Sequence, residues 1–308
     1  MRSAEIEEAM PVPDDQDPDK SSWGFEEGDE IDDGLIALSL LGGGRRYEAY
    51  LAHDEAMWTT VVVKIVRPAL VSESRTLEGL AAEQHNLETL NHPYLPRSFG
   101  ATLEGERPYL VQEFLEGPRL STLIRKYGRL PLEQLIPLAV QLASAIHYLH
   151  GREMVHLDVK PSNIIMAAPP RLIDMSIAMS FNDVSTLRGH VGTDDYMSPE
   201  QSDPKNNTVG PPADIWGIGV TLYEAVNGRL PFPRTERRDG KTYYPQLDNE
   251  PAPHDPEVPL SLTEIIDSTL LREPSGRPSA REVAEALEPL VAALPRKPVL
   301  SRLRPKLR

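Results

Sequence analysis

The sequence predicts an α+β protein of two segregated lobes, with strands first and helices after. Three observations carry that reading. Alternating, β-branched-rich stretches fill Leu35 to Val66, apolar residues recur at helical spacing beyond residue 130, and the character changes near Glu116-Gly117-Pro118.

The elements follow in order. Leu35-Ile-Ala-Leu-Ser-Leu-Leu runs into Gly42-Gly43-Gly44, then Tyr47-Glu48-Ala49-Tyr50-Leu51-Ala52, a loop, and Val61-Val62-Val63-Lys64-Ile65-Val66. Alternation around a glycine turn reads as an antiparallel meander. A helix is predicted from about Glu73 to Leu90, with Leu80, Leu87 and Leu90 on one face and Asn91-His92-Pro93 as its stop. Two short strands fit near 97–103 and 107–114. Beyond the change of character, Leu135, Leu138, Leu142, Ile146 and Leu149 form an apolar stripe that ends at Gly151. Ile215 to Val226 and Ser279 to Leu294 also read as helices, and no internal repeat is visible.

Composition bounds the function. In 308 residues the apolar fraction is 40% and the charged fraction 26%, enough for a sizeable core. The 30 prolines are roughly twice the usual ~5% share and gather at 11–18, 204–212, 231–259 and 295–305, which marks those stretches as loops or tails. There is no cysteine, so disulfides, thiolate metal sites and cysteine nucleophiles are excluded. No run approaches the ~18 apolar residues of a membrane span, and no apolar stretch follows the amino terminus. Neither a transmembrane segment nor a cleaved signal is expected, and a cytoplasmic protein is.

The net charge of −15 is uneven: residues 1–34 hold 13 acids and 2 bases, whereas 295–308 carry six Lys or Arg and no acid. Such an acidic, apolar-poor block cannot offset its ordering entropy, so 1–34 is read as a disordered acidic extension. Residues 35–115 and 116–294 form the two lobes, and 295–308 a basic tail. Simple solvation is the favoured reading of both ends; contact of the tail with an anionic membrane surface is the alternative. An acidic body without a large basic patch argues against nucleic-acid binding.

Two charges interrupt apolar patterns. Lys64 stands in a run of valines and isoleucines, and Glu83 shares the helical face of Leu80, Leu87 and Leu90. Buried charges need opposite partners, so the two either pair with one another or escape burial separately, Lys64 snorkelling at a strand end. The densest segment is His156-Leu157-Asp158-Val159-Lys160-Pro161-Ser162-Asn163, with Asp174 eleven residues on. Asn163 and Asp174 offer oxygen ligands suited to a hard cation such as Mg²⁺ that shares phosphate oxygens. Asp158 and Lys160, two apart, can face one site from an extended loop. There a carboxylate could orient a hydroxyl while an ammonium neutralises a transferring phosphate.

On these residues the chain resembles the Hanks-type (eukaryotic-like) bacterial serine/threonine protein kinases over roughly 35–294. Gly42, Gly44, Tyr47 and Ala49 fall on the glycine-rich loop. Val61-Val62-Val63-Lys64 falls on the strand that carries the phosphate-binding lysine, and Gln112-Glu113-Phe114-Leu115 on the hinge. His156-Leu157-Asp158, Lys160 and Asn163 match the catalytic loop, and Asp174-Met175-Ser176 the metal-binding D-F-G. Gly192-Thr193 and Ser198-Pro199-Glu200 match the end of the activation segment. Asp214-Ile215-Trp216 and Arg277 match two bracing positions. Five residues depart from the pattern: Tyr47 for the third glycine, Val62 for alanine, Leu157 for arginine, Met175 for phenylalanine and Ser176 for glycine.

The resemblance implies a bilobal protein-kinase-like fold, with a small antiparallel-sheet N-lobe bearing one main helix and a larger helical C-lobe. It implies transfer of the γ-phosphate of ATP to Ser/Thr hydroxyls of protein substrates, with autophosphorylation, a signalling activity. Asp158 would act on the hydroxyl beside Lys160, Glu83 would hold Lys64 on the phosphates, and Asn163 and Asp174 would bind Mg²⁺. Leu41, Gly42, Gly44, Ala49, Val62, Glu113, Leu115, Ile165 and Ile173 would surround the nucleotide. The alternatives are a pseudokinase serving as a nucleotide-binding or partner-binding regulatory module, and a small-molecule kinase. The intact quartet Lys64, Asp158, Asn163 and Asp174 speaks against the first. Ser198-Pro199-Glu200 and Arg277 speak against the second.

Overall fold

The structure, a computed structural model, describes residues 21–238 and 241–295. They form two compact units, one of residues up to Gly117 together with Ile173–Ala178, the other of Pro118–Leu172 and the chain from Met179 on. This is the α+β division that the order of strands and helices predicts.

The first unit is built on a six-stranded antiparallel sheet: β1 (Glu30–Asp32), β2 (Leu35–Gly43), β3 (Tyr47–Asp54), β4 (Thr59–Val66), β5 (Ser98–Thr102) and β6 (Tyr109–Glu113), in the order β1-β2-β3-β4-β6-β5. Its one long helix is α1 (Ser74–Thr89). Strand alternation gives the sheet two different faces. Val61, Val63 and Ile65 join Ile31, Leu35, Ala37, Tyr50, Ala52, Tyr109 and Val111 in one apolar core. Val62 and Lys64 point the other way, and it is to Lys64 that α1 brings Glu83.

The reading of 1–34 as disordered is corrected for its described part. Residues 21–34 are ordered, and Glu30–Asp32 pairs with β2. Trp23 and Phe25 pack on the sheet core, stacked with ring centroids 6.0 Å apart. The Trp23 amide donates to Glu48 Oε2 at 3.0 Å and its indole N–H to the Val66 carbonyl at 2.8 Å. Buried Glu48 is balanced by Arg67, whose Nη1 lies 3.0 Å from Oε1 and also donates to the Ser21 carbonyl. Two aromatic anchors and a paired buried charge outweigh the acidity of the surrounding stretch. Residues 1–20, and all of the basic tail but Pro295, lie outside the described residues.

The second unit is mainly helical: α2 (Leu120–Tyr127), α3 (Leu132–His150), then the two-residue strands β7 (Met154–Val155), β8 (Ile164–Ile165), β9 (Arg171–Leu172) and β10 (Met179–Ser180). There follow α4 (Phe181–Ser185), α5 (Pro199–Ser202), α6 (Pro212–Asn227), the hairpin β11 (Glu236–Arg238) and β12 (Lys241–Tyr243), α7 (Leu260–Thr269) and α8 (Ala280–Ala293). The predicted stripe Leu135 to Leu149 is fully buried along α3, and α6 is buried along almost its whole length. Helices α2 and α7 and the β11–β12 hairpin, missed in the sequence, complete this unit. Among the described residues no helix is long and apolar enough to cross a membrane.

Candidate active site

In the first unit, β4 and α1 carry the charged groups. Lys64 Nζ stands 2.6 Å from Glu83 Oε2 and 2.9 Å from Asp174 Oδ1. The Glu83 side chain is fully buried, and its other oxygen accepts from Gln112 Nε2 at 3.3 Å. Burial works against the Lys64 charge, but the carboxylates of Asp174 and Glu83 outweigh it and raise its pKa, so the ammonium persists at neutral pH. Burial pushes the Glu83 carboxyl upward, with Lys64 opposing. Of the two readings open for these charges, pairing is the one observed.

Around this cluster the strands place several predicted nucleotide residues. Ala49 pairs across with Gly42 on one side and Lys64 on the other, and Val62 faces Gln112. Gly43 has no room for a side chain, since a Cβ there would lie 2.7 Å from the Tyr47 carbonyl oxygen. Glu113 ends β6 with its amide spent on the Arg97 carbonyl at 2.9 Å. Leu41, Gly44, Leu115 and Ile173 belong to the same unit. Tyr47, in the place of the third glycine, directs its hydroxyl to the Thr76 carbonyl of α1. Where the pattern's glycine is replaced by Ser176, the positive φ falls on Asp174, at 71°. A non-glycine residue in that region is strained, and such strain gathers at functional sites.

In the second unit the dense string forms a closed lattice. Asp158 Oδ1 accepts from Thr193 Oγ1 at 2.7 Å, and Oδ2 lies 2.9 Å from Asn163 Nδ2 and 2.7 Å from Lys160 Nζ. Lys160 also donates to Thr193 Oγ1 at 2.5 Å. The Asn163 amide nitrogen is committed to Asp158, to its carboxylate and its backbone carbonyl, which leaves Oδ1 as the atom that can ligate. Ile165 lies just beyond, on β8. Beneath the loop, buried Asp214 accepts the amides of His156 at 2.8 Å and Leu157 at 2.7 Å. Leu157 is itself buried, with φ of 68°. Arg277 grips Glu200 with two bonds, of 2.7 and 2.9 Å.

Two glutamines that sequence reasoning passed over tie this region together. Gln201 Nε2 donates to the carbonyls of Leu157 at 3.0 Å and Val191 at 2.9 Å. Gln246 Nε2 reaches the carbonyls of Asp194 and Met197 and the hydroxyl of Ser202. Their burial follows from the fold. Gln201 also closes a capping box, its Oε1 accepting the Ser198 amide at 3.1 Å, and that Ser-x-x-Gln spacing is the signal that could have found it, whereas Gln246 carries none. The structure thus gathers Lys64, Glu83 and Asp174 in one unit and Asp158, Lys160 and Asn163 in the other.

Comparison with known proteins agrees with this geometry. A family profile described as protein kinase domain matches residues 36–287. The serine/threonine-protein kinase PknA of Mycobacterium tuberculosis is 30% identical over 261 residues, covering 80% of this chain and 59% of its own. PkaA of Streptomyces coelicolor is 31% identical over 235 residues, 74% of this chain and 42% of its own. PrkC of Bacillus subtilis is 28% identical over 254 residues, 81% of this chain and 39% of its own. The chain therefore spans well under two thirds of the length of these relatives.

Proposed function

The chain belongs to the protein kinase domain family, and from that premise we propose that it transfers the γ-phosphate of ATP to serine and threonine hydroxyls of proteins, itself included. The observation that carries the proposal is the Asp158 lattice. One carboxylate is held at once by a lysine, an asparagine and a threonine, on a loop pinned from below by Asp214. Phosphoryl transfer asks mainly for positioning and electrostatic stabilisation, and this lattice supplies both.

The roles follow from the chemistry of each group. Asp158 accepts and orients the proton of the attacking hydroxyl, and Lys160 stands beside the transferred phosphoryl group. Thr193 holds both, in keeping with the D-x-K-P-x-N setting of a Ser/Thr enzyme. Lys64, kept charged by Glu83 and Asp174, binds the nucleotide phosphates. Gly42, Gly44, Leu41, Ala49, Val62, Ile165 and Ile173 contact the nucleotide. Its adenine edge meets the Leu115 backbone and the carbonyl of Glu113, whose amide is already engaged. Asn163 and Asp174 present hard oxygen donors and would hold Mg²⁺, which when bound neutralises phosphate charge. ATP as co-substrate places the activity in the cytoplasm.

The test is incubation with labelled ATP and Mg²⁺, wild type beside Asp158→Asn, followed by phosphoamino-acid analysis. Phosphoserine and phosphothreonine from wild type are expected. The variant should lose at least the 10²–10⁴-fold that acid–base assistance is worth, roughly to background. Equal labelling by the variant, or predominant phosphotyrosine, would refute the assignment.

A further inference from the structure

Tyr47 occupies the place of the third glycine in the glycine-rich pattern, and the structure gives it definite work. It is the first residue of β3, paired with Val66. Its hydroxyl donates to the Thr76 carbonyl at 2.8 Å, in the first turn of α1, and its ring face lies 5.0 Å from Lys64 Nζ. Helix α1 makes room for the contact. A Cβ at position 79 would sit 2.8 Å from the Tyr47 hydroxyl, and the residue there is Gly79. Glycine inside a helix is unfavourable, so its presence beside this hydroxyl fits a packing reason. Burial raises the Tyr47 pKa, so the phenol stays a donor at neutral pH.

The spacing along α1 gives the tether its consequence. Thr76 and Glu83 are seven residues apart, two turns along the same face, about 10 Å at 1.5 Å per residue. Near its middle the helix is tied to β4 through Glu83 and to β5 through Gln84, whose Oε1 accepts from the Ser98 hydroxyl at 3.1 Å. The Thr76 bond from β3 ties down its first turn, two turns away.

We propose that Tyr47 is a positioning residue, tethering α1 to β3 so that Glu83 stays on Lys64 without help from outside this unit. The catalytic consequence rests on the phosphotransfer reading, whereas the tether itself does not.

The experiment therefore has two arms, run on the full chain for wild type, Tyr47→Phe, Gly79→Ala and the double variant. Phenylalanine keeps the ring over Lys64 and removes only the hydroxyl. Alanine favours the helix while its methyl displaces the hydroxyl, so a loss of activity there cannot come from a weaker helix. The first arm is amide hydrogen exchange, which reads local opening. Exchange along 77–87 should quicken in Tyr47→Phe and Gly79→Ala alike, with the second unit unchanged; exchange equal to wild type would overturn the proposal, whatever the activity. The second arm is steady-state kinetics. Each single variant should lose about tenfold in kcat with the KM for ATP moving less than twofold, and the double variant should lose no more than either single, because both remove one contact. Additive losses, or a rise in KM alone, would overturn the positioning role. Quickened exchange in a chain whose wild type labels nothing would leave the tether standing and refute the kinase reading instead.

Discussion

Two buried ion pairs, one from each unit, are built for opposite purposes. In the second, Arg277 and Glu200 are 0% and 2% exposed and meet through two parallel bonds. The remaining guanidinium donors go to the carbonyls of Leu271, Pro212 and Arg272, and the fork lies 5.0 Å from the Trp216 ring centroid. Every donor is committed, so the pair is a strut. In the first unit, Lys64 divides one ammonium between Glu83 and Asp174 at 2.6 and 2.9 Å and keeps 14% of its side chain exposed. A point charge on a flexible stem can transfer an allegiance that a rigid fork cannot. The strut holds a shape, whereas the shared lysine holds a charge ready for phosphate.

The largest effect expected from this contrast is on stability. Arg277→Met leaves Glu200 buried and unpaired, which should cost about 3–5 kcal/mol. Adding Glu200→Leu should recover most of that, since the uncompensated charge is gone. Urea midpoints of the three proteins check it; a single variant as stable as wild type would mean that Glu200 finds another cation.

The matching change in the first unit should act on turnover instead. In Glu83→Gln, Lys64 still has Asp174, and a buried carboxyl already pushed up by burial is replaced by a neutral amide. The urea midpoint should move little, whereas kcat/KM for ATP should fall by at least about tenfold, ~1.4 kcal/mol in transition-state terms. A protein that unfolds as readily as Arg277→Met would erase the distinction between strut and shared charge.

Between these extremes lies Gln201, which holds two backbone carbonyls with no charge at all. Gln201→Leu should leave the carbonyls of Leu157 and Val191 without that donor, at a cost of about 1–3 kcal/mol. Faster hydrogen exchange from residue 186 to 197, with the first unit unaltered, is the expected signature. Unchanged exchange would show that packing alone orders the segment.

How much of this was legible in the sequence depended on how far each residue's partners lie along the chain. The string His156 to Asn163 could be read because its members are neighbours and its loop is short. Lys64 and Glu83 could be read because each breaks an apolar period, though only the fold decides that they meet. Asp174 was found through its distance from Asn163, but its bond to Lys64, 110 residues away, left no mark. Trp23 and Phe25 were overlooked because the count of acids around them dominated. The available signal was a pair of aromatics in a stretch otherwise too polar to need them. Glu48, an acid on the inward side of a strand, was the second half of that signal. Gln246 offered none, since its partners lie about fifty residues back along the chain, and the Ser-x-x-Gln capping spacing of Gln201 did not foretell its bonds to the Leu157 and Val191 carbonyls.

The smallest effect is predicted where many regulated enzymes would show a large one. Leu157 stands where the related pattern has arginine, and it is buried with neither charge nor donor to offer a phosphate. The structure supplies the order in other ways: Gln201 links the Leu157 and Val191 carbonyls, and the Gly192 backbone packs so closely that a Cβ would lie 2.9 Å from the Leu157 oxygen. Arg188, the nearest cation in the segment, is exposed and donates to the Leu187 carbonyl. Ser185 and Thr186 are likewise exposed at the end of α4, their hydroxyls bonded to the carbonyls of Asn182 and Asp183. A phosphate on either would gain few of the charge-assisted bonds by which such groups order a loop. Phosphatase-treated enzyme and a Ser185→Ala/Thr186→Ala double variant should thus phosphorylate an exogenous substrate at rates within a few-fold of wild type. A drop beyond tenfold, ~1.4 kcal/mol, would mean that a basic residue such as Arg188 swings onto the phosphate. The second unit would then hold a movable charge of its own, and the contrast with Lys64 would fail.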